Sequence, residues 1–312
     1  MINIYEVGPR DGLQNEKKSL TIDQRLDLIE NLLESGLNDL EIGAFVRPDR
    51  VPQMAGTEDL YKHERFQLLR RRYPDAKFWS LVPNEKGLER ALDCGADRIA
   101  VFTGATESFV QKNIGMSIDE SLAVFSRVVQ KAFEAKLEIR GYISVCWVCP
   151  YEGEVQPDAV LSVIQRMFEM GIPNISLGDT IGRAHPNKTE RLLVSAFTLA
   201  GPESYSVHFH DTYGMALANI DRSLRLGIQT IDSSIGGLGG CPYAPGASGN
   251  VATEDVYSLL EGYDQVQNID FEKMMSAAIL AQKIVERQLP SRRLTAYLSD
   301  FRLKIDNLPD DI

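Results

Sequence analysis

The feature of this sequence that most constrains its fold is a short apolar, β-branched run that recurs along the chain, followed each time by a polar turn and a helical pattern. Eight such runs occur, at Ile2–Val7, Asp39–Ala44, Lys77–Val82, Arg98–Thr103, Glu138–Val145, Asn174–Leu177, Tyr205–His210 and Thr230–Ile235. Strands that alternate with helices are typical of a parallel sheet with helical crossovers. Eight units in about 260 residues predict an α/β fold of the (β/α)8 TIM barrel type, which usually takes ~250 residues.

The helical segments carry start and stop signals. Thr21 with Gln24, and Ser117 with Glu120, have capping-box spacing and precede apolar residues at helical intervals. Asp158 is expected to cap a later helix. Glycines stand where a helix is expected to end, at Gly36, Gly171 and Gly227.

An open, doubly wound sheet is the alternative arrangement. Such a sheet usually shows a glycine fingerprint directly after its first strand. Here the first turn reads GPRDGLQN, and Pro9 and Arg10 do not suit that fingerprint. We therefore predict one catalytic domain, with a barrel over about 1–265 and additional C-terminal helices over about 270–312. These helices are expected to form a cap or an oligomer contact.

Charge and composition exclude several classes of protein. A net charge of −11 argues against a nucleic-acid partner, because phosphate binding needs clustered Lys and Arg. No apolar run approaches the ~20 residues that span a bilayer, so no membrane partner is expected. The first residues, MINIYEVGPRDG, resemble neither a secretory signal nor a transit peptide. Four cysteines in 312 residues do not suggest a disulfide framework, which favours a cytoplasmic location.

Polar side chains cluster where the predicted strands end. They are Arg10 and Asp11 after the first strand, Glu41 within the second, Asp179 and Thr180 after the sixth, His208 and His210 at the end of the seventh, and Cys241 and Asn250 after the eighth. Active sites of these barrels are built at the C-terminal ends of the strands. We therefore expect these residues to meet at one mouth of the barrel.

His208 and His210 are the sharpest local pattern. Residues two apart on a strand point to the same side, so both imidazoles can bind one divalent cation. The alternative is a hydrogen-bonded polar pair without metal. If Asp11 and Asn250 converge on the pair, the set has two nitrogen and two oxygen ligands, which suits Mg²⁺, Mn²⁺ or Zn²⁺.

Glu41 lies in an otherwise apolar strand and needs a partner, because a buried unpaired carboxylate is costly. Arg10 is the expected partner. The pair is either a structural ion pair or a device by which Glu41 orients the Arg10 guanidinium toward a developing oxyanion.

The segment Gly236–Asn250 has six glycines and two prolines in fifteen residues and is expected to act as a lid. Cys241 within it is either a general acid or base, or an ordinary small apolar residue.

Cys146 and Cys149 form a C-x-x-C pattern. Because Pro150 follows directly, zinc and redox roles are disfavoured.

Several segments together resemble a known family. They are VGPRDGLQNE (Val7–Glu16), VPQM (Val51–Met54), RGY (Arg140–Tyr142), CPYEG (Cys149–Gly153), ISLGDTIG (Ile175–Gly182), HFHDTYGMALAN (His208–Asn219) and DSSIGGLGGCPYAPGASGNVATED (Asp232–Asp255). From about residue 4 to 290 the sequence resembles the 3-hydroxy-3-methylglutaryl-CoA (HMG-CoA) lyases, within a wider group of metal-dependent barrel lyases and Claisen-condensing synthases. The histidine and lid segments together are highly specific for this family.

The resemblance implies an activity and a set of site residues. The activity is cleavage of HMG-CoA to acetoacetate and acetyl-CoA, in leucine degradation, by a homodimer that uses a divalent cation, Mg²⁺ or Mn²⁺ before Zn²⁺. The implied metal ligands are Asp11, His208, His210 and Asn250. The implied catalytic and substrate-binding residues are Arg10 at the substrate carbonyl, Glu41 in support of it, Cys241 on the lid, and Gln14, Asp179 and Thr180 beside the substrate. Asp11, His208 and Asp179 are the candidate bases.

Two departures from the family pattern fall at the predicted mouth. They are Ala44, Arg47 and Arg50 after the second strand, and Val145, Cys146, Trp147 and Val148 after the fifth. Trp147 is expected to narrow or reshape the acyl pocket and Arg47 to add a positive charge there, with Arg47 and Arg50 as candidate CoA contacts. The alternatives are therefore a lyase for a different 3-hydroxyacyl-CoA and a condensing synthase of the isopropylmalate type. A non-catalytic barrel is disfavoured, since unpaired polar residues in a mouth are costly.

Overall fold

The computed structural model describes residues 2–240, 249–263 and 268–306, with side chains described up to residue 300. Its strands are β1 (Asn3–Glu6), β2 (Asp39–Ala44), β3 (Lys77–Leu81), β4 (Arg98–Gly104), β5 (Glu138–Ser144), β6 (Val148–Cys149), β7 (Gly153–Glu154), β8 (Ile175–Asp179), β9 (Tyr205–Phe209) and β10 (Thr230–Ser233). Eight of them form a closed parallel barrel in the order β1-β10-β9-β8-β5-β4-β3-β2, with β1 paired to both β10 and β2. The predicted TIM barrel is confirmed, and the open sheet is wrong.

The helices surround this barrel. They are α1 (Ile22–Glu34), α2 (Thr57–Lys62), α3 (Glu64–Arg72), α4 (Glu85–Asp93), α5 (Glu107–Ile114), α6 (Ile118–Glu134), α7 (Pro157–Glu169), α8 (Pro186–Ala196), α9 (Ala216–Arg225), α10 (Thr253–Glu261), α11 (Phe271–Val285) and α12 (Arg292–Asp306). The additional helix α11 packs against α1, and α12 packs against α10. The antiparallel pair β6–β7 was not predicted. Within the described residues, no helix is both long and apolar enough to cross a bilayer.

The predicted helix signals are confirmed at most positions. Thr21 and Ser117 each accept the backbone N–H three residues later, and both capping boxes are complete. Glycines just beyond three helices have positive φ, at Gly36, Gly171 and Gly227. The prediction for Asp158 is wrong: α7 begins at Pro157 with Gln156 at the N-cap. Proline is well suited to the first helical position, because its fixed φ matches the helix and it has no N–H to satisfy.

The strand pleat separates two packed regions. Alternate side chains of each strand face the barrel interior, where the apolar cluster is small: Tyr5, Val7, Trp79, Ala100 and Tyr142. The larger core lies between the barrel and the helices. Polar residues therefore occupy much of the barrel interior, and their positions there determine where a functional site can form.

Glu6, at the end of β1, is a fully buried carboxyl. It accepts N–H bonds from Gly8 (2.7 Å) and Ile235 (2.9 Å) and an O–H bond from Thr253 (2.6 Å). Burial raises its pKa to about 7, although these hydrogen bonds oppose the shift. The unfolded chain releases this proton near pH 4.5, whereas the native protein holds it to about pH 7.

We therefore expect the free energy of unfolding to fall as the pH rises between these two values, by up to ~3 kcal/mol from this one carboxyl. Glu6→Gln keeps an uncharged acceptor and should flatten this slope, as measured by urea unfolding at pH 5 and pH 8. Glu203→Gln, at an exposed position, is the control. A slope that is unchanged in Glu6→Gln would contradict the assignment.

Candidate active site

The loop after β1 carries the first two site residues. Residues Gly8–Gly12 form a π-helical turn that holds Arg10 and Asp11 over the mouth of the barrel. Arg10 Nε donates to Glu41 Oε2 at 2.7 Å, and Arg10 Nη1 donates to Asp11 Oδ1 at 2.7 Å. The Tyr142 hydroxyl also donates to Glu41 Oε2, at 3.2 Å. The predicted pairing of Glu41 with Arg10 is thus confirmed, and it fixes the guanidinium between two carboxylates.

Burial makes this pair electrostatically strong. Arg10 is 6% exposed and Glu41 is 0% exposed. Burial raises the pKa of Glu41, and Arg10 opposes that shift. Burial alone would lower the pKa of Arg10, but Glu41 and Asp11 raise it overall. Arg10 is therefore a fixed cation at the mouth of the barrel.

Beside Arg10, three residues form a cluster that could hold a metal ion. One ligand atom each from Asp11, His208 and His210 lies within 4.8 Å of the other two. The Asp11 Oδ2 atom is 4.0 Å from His208 Nε2, and the two imidazole centroids are 5.4 Å apart. Asn250 Nδ2 donates to Asp11 Oδ2 at 2.9 Å, and a backbone bridge pairs Asn250 with His210. The structure brings together all four predicted ligands.

The protonation states of this cluster fit a divalent cation. Burial alone would raise the pKa of Asp11, but Arg10 and the two histidines lower it to about 2, so it is ionised. Burial and the neighbouring His208 lower the pKa of His210 to about 4, so it is neutral near pH 7. The buried Nδ1 of His210 has no hydrogen-bond partner among the described residues. A carboxylate and a neutral imidazole with an unused nitrogen are the donors that such a cation needs.

Asp232, on β10, contacts the His208 imidazole on the side away from Asp11. Asp232 was not identified as a site residue from the sequence. Its Oδ2 atom is 3.3 Å from His208 Nδ1 and accepts the Ser176 hydroxyl at 2.7 Å. Arg140 Nη2 donates to the other oxygen, Oδ1. Burial lowers the pKa of His208, but Asp232 and Asp11 raise it overall. A carboxylate at Nδ1 leaves Nε2 directed toward Asp11, which is the usual arrangement behind a metal-binding imidazole.

Asp232→Asn should therefore weaken metal binding by about 10- to 100-fold, because the amide no longer fixes the His208 tautomer. Mn²⁺ titration by calorimetry measures this effect. Ser176→Ala, which removes one hydrogen bond to the same oxygen, is the milder control. Equal Mn²⁺ affinities in Asp232→Asn and the parent protein would rule out this positioning role.

The other predicted residues lie around this cluster with different partners. Gln14 Oε1 accepts from Arg10 Nη1 at 3.4 Å. Asp179 accepts the backbone N–H groups of the following loop at 3.0 and 2.8 Å, and burial raises its pKa to about 6. Thr180 accepts the N–H of Val145. Cys241 lies outside the described residues.

Trp147 and Arg47, two residues that depart from the family pattern, do not have the effects predicted for them at the mouth of the barrel. Trp147 stacks on Phe209 with ring centroids 5.1 Å apart and belongs to the core outside the barrel. Phe209 faces that core because its strand neighbour His208 faces inward. The prediction that Trp147 narrows the acyl pocket is therefore wrong. Arg47 makes two hydrogen bonds to Asp49 at an exposed position, so its charge is already paired.

The two cysteines of the C-x-x-C pattern are separate buried thiols. Cys146 donates to the carbonyl of Ile143 at 3.0 Å. Cys149 accepts the Thr106 hydroxyl at 3.1 Å. Each sulfur thus has its own local hydrogen bond.

Comparison with known proteins gives the family. The model of the family described as HMGL-like matches residues 1–280. The chain belongs to the HMGL-like family. The resemblance inferred from the sequence is thereby confirmed.

Individual HMGL-like relatives cover nearly all of the chain. A Pseudomonas mevalonii protein named hydroxymethylglutaryl-CoA lyase is 44% identical, covering 89% of this chain and 90% of its own. A Pseudomonas aeruginosa protein named 3-hydroxy-3-isohexenylglutaryl-CoA/hydroxy-methylglutaryl-CoA lyase is 43% identical, covering 96% and 97%.

Solved structures agree in fold. The crystal structure of hydroxymethylglutaryl-CoA lyase from Pseudomonas aeruginosa has a TM-score of 0.91 at 42% identity, covering 96% of this chain and 98% of that chain. An HMG-CoA lyase from Acinetobacter baumannii, in complex with coenzyme A and 3-methylmalate, has a TM-score of 0.85 at 30% identity, covering 100% and 97%.

Proposed function

We propose that this HMGL-like protein is an HMG-CoA lyase, a carbon–carbon lyase that cleaves HMG-CoA to acetoacetate and acetyl-CoA. The observation that carries the proposal is the contact between Arg10 and Asp11 at 2.7 Å. It sets a fixed cation directly beside the carboxylate of a candidate metal cluster. The reaction needs these two neighbouring positions, one for the tertiary hydroxyl and one for the thioester carbonyl.

Asp11, His208, His210 and Asn250 would hold the cation. Bound Mg²⁺ or Mn²⁺, with Zn²⁺ as a third candidate, would make the tertiary hydroxyl of the substrate more acidic. Asp11, His208 and Asp179 remain the candidate bases for its proton. Asp179 is the weakest of them by geometry, because both of its oxygens already accept backbone N–H groups.

The chain's own residues then account for the rest of the reaction. The base removes the hydroxyl proton, and the O–H electron pair becomes the C=O bond of acetoacetate. The electron pair of the C2–C3 bond moves into the thioester, whose enolate oxygen faces Arg10. Glu41 keeps the guanidinium in that orientation. The Cys241 thiol donates a proton to C2, and acetyl-CoA leaves.

A second candidate is a lyase that also accepts a longer acyl group. Two observations favour it: Trp147 packs outside the barrel, and one relative is named for an isohexenyl substrate as well. The condensing synthase is less favoured, because the lid segment with Cys241 follows the lyase pattern.

The decisive experiment compares substrates. Purified protein with Mg²⁺ or Mn²⁺ is given HMG-CoA or 3-hydroxy-3-isohexenylglutaryl-CoA, and released acetyl-CoA is measured. We expect HMG-CoA cleavage that a chelator abolishes. Cleavage of the isohexenyl compound as well as HMG-CoA would select the second candidate, and condensation of acetyl-CoA with a 2-oxo acid would select the synthase.

Cys241→Ser is expected to keep its metal while losing at least about a hundredfold in kcat, because a hydroxyl is a much poorer proton donor at neutral pH. Metal content and steady-state kinetics are measured on the same sample. Cys94→Ser, at a cysteine beyond α4, is the control. Unchanged kinetics in Cys241→Ser would remove Cys241 from the mechanism.

The remaining parts of the proposal concern partners and location. An acyl-CoA is the proposed substrate, since a structurally similar HMG-CoA lyase was solved with coenzyme A. A cytoplasmic location is proposed from the free thiols Cys94, Cys146 and Cys149. The homodimer, and the division into a barrel and a helical extension, stay predictions.

A further inference from the structure

A cavity lies at the end of the barrel opposite the candidate active site, where the strands begin. Its volume is about 410 Å³. Asn3, Lys77, Glu138 and Thr230, which open their strands, are part of its lining. Tyr5 and Arg140 also line it, and each lies two residues further along its strand, so it faces the same interior. The cavity therefore enters the barrel from below, away from the candidate active site.

Arg140 is only partly satisfied in this position. It is 2% exposed, and Nη2 donates to Asp232. Its Nε and Nη1 atoms have no hydrogen-bond partner among the described residues, and the hydroxyl of Tyr5 likewise has none. The guanidinium carbon lies 3.7 Å from the centroid of the Tyr5 ring, so the two side chains are stacked. Buried N–H groups without an acceptor are costly, and a ligand with acceptor oxygens would relieve that cost.

The nearby acidic groups are already engaged. Asp39 accepts Trp79 Nε1 at 2.6 Å and Asn3 Nδ2 at 3.0 Å. Asp232 accepts from Arg140 itself and from Ser176. Glu138, which lines the cavity, accepts from Arg98 Nη2 at 2.6 Å. The unused polar atoms of Arg140 are therefore donors only, which selects for an anion.

Two further features narrow the class of anion. The cavity wall is largely apolar, with Trp79, Leu137, Ile139 and Pro173 beside the polar groups. Lys77 is at its lining with a 48% exposed side chain, and its Nζ atom is 3.9 Å from Asp39. A planar carboxylate matches a guanidinium edge, and a short alkyl chain matches the apolar wall.

We propose that this cavity binds a short-chain carboxylate, whose oxygens accept hydrogen bonds from Arg140 and from the hydroxyl of Tyr5. Its alkyl chain packs against Trp79, which belongs to the same interior cluster as Tyr5. The site is separate from the metal cluster, and the proposal does not depend on the proposed function. Arg140 contacts both the cavity and Asp232, which in turn contacts His208.

Butyrate is the probe, titrated by calorimetry into the protein with its metal bound, and the variants below separate binding in this cavity from binding at the metal cluster. We expect saturable binding at one site per chain, with no binding of butanol or butylamine at the same concentrations. Tyr5→Phe keeps the ring stacked on Arg140 and removes the hydroxyl, and should weaken butyrate binding about tenfold. Tyr213→Phe removes a hydroxyl outside this cavity and should leave the affinity unchanged.

Lys77→Glu provides a second variant, at a side chain that is 48% exposed, and its thermal unfolding is measured beside butyrate binding. It should weaken butyrate binding severalfold by reversing a charge at the lining. Lys188→Glu is its control, because Lys188 is similarly exposed (42%) and also pairs with a single carboxylate. Absence of saturable binding, equal affinity for butanol, or undiminished affinity in both Tyr5→Phe and Lys77→Glu would overturn the proposal.

Discussion

Replacing Arg10 with glutamine is expected to lower kcat for HMG-CoA by about a thousandfold or more, with a much smaller change in KM. Arg10 is the fixed cation beside Asp11, and its contact with the substrate oxygen strengthens as negative charge develops there. Loss of one such donor typically costs 10²–10³ in rate, and loss of a full charge costs more. Steady-state kinetics at saturating metal measure the split between kcat and KM.

The control for this prediction must separate catalysis from folding. Arg10→Gln leaves Glu41 buried without its cationic partner, which itself reduces stability. Thermal unfolding of the variant is therefore measured beside its activity. Arg127→Gln removes an exposed arginine from a pair with Glu85 and should change neither quantity appreciably. Near-normal turnover in a folded Arg10→Gln protein would contradict the proposed role of Arg10 in stabilising the developing negative charge.

Loss of the metal is expected to have the second large effect. His208→Gln removes the ligand whose Nε2 atom lies 4.0 Å from Asp11, and it also breaks the contact with Asp232. We expect metal content to fall from about one ion per chain to a small fraction of that, and turnover to fall to less than about a thousandth. Elemental analysis after dialysis and the acetyl-CoA assay measure the two effects.

A chelator provides the matching experiment on the parent protein. Treatment should abolish turnover, and added Mn²⁺ should restore it in the parent protein while failing to restore it in His208→Gln. His185→Gln is the control, because His185 is exposed and its side chain makes no capping bond. If chelator-treated parent protein remained active, or if His208→Gln kept full metal content, the metal assignment would be wrong.

Much of the fold followed from local patterns. Each of the eight predicted strands is present, with ends that differ by at most two residues. Short runs of β-branched residues and capping boxes act within a few residues of chain, so they are visible without tertiary information. The hairpin β6–β7 was missed, because two-residue strands leave no periodicity to detect.

The meeting of the candidate metal ligands at one rim was also expected from the sequence, for a topological reason. In a parallel barrel all strand ends with the same polarity share one rim, so a polar residue after a strand has its position specified by the fold. Asp11 and His210 follow strand ends and His208 is next to one, so they obey that rule. Asn250 lies far along the loop after β10, and its hydrogen bond to Asp11 brings it to the cluster. Asp232 and Arg140 lie deeper in the barrel, and the alternation of their strands was the available signal for them.

Trp147 shows where this rule fails. It follows a strand end, yet it packs on Phe209 outside the barrel. Beyond the last residue of a strand the chain leaves the pleat, so alternation no longer decides which way a side chain points. Val145, the first residue after β5, has a positive φ, and the chain turns there.

The sequence by itself determined the barrel, the rim on which the polar residues meet and the pairing of Glu41 with Arg10, because periodicity and the cost of a buried charge are properties of the chain. Only the tertiary structure decided that Asp232 contacts His208 and that Trp147 faces away from the mouth. It also decided that Arg140, which lines a cavity below the barrel, has donors without a partner among the described residues. Those facts depend on contacts between residues distant in sequence, and on which hydrogen-bond partners remain once the barrel has closed.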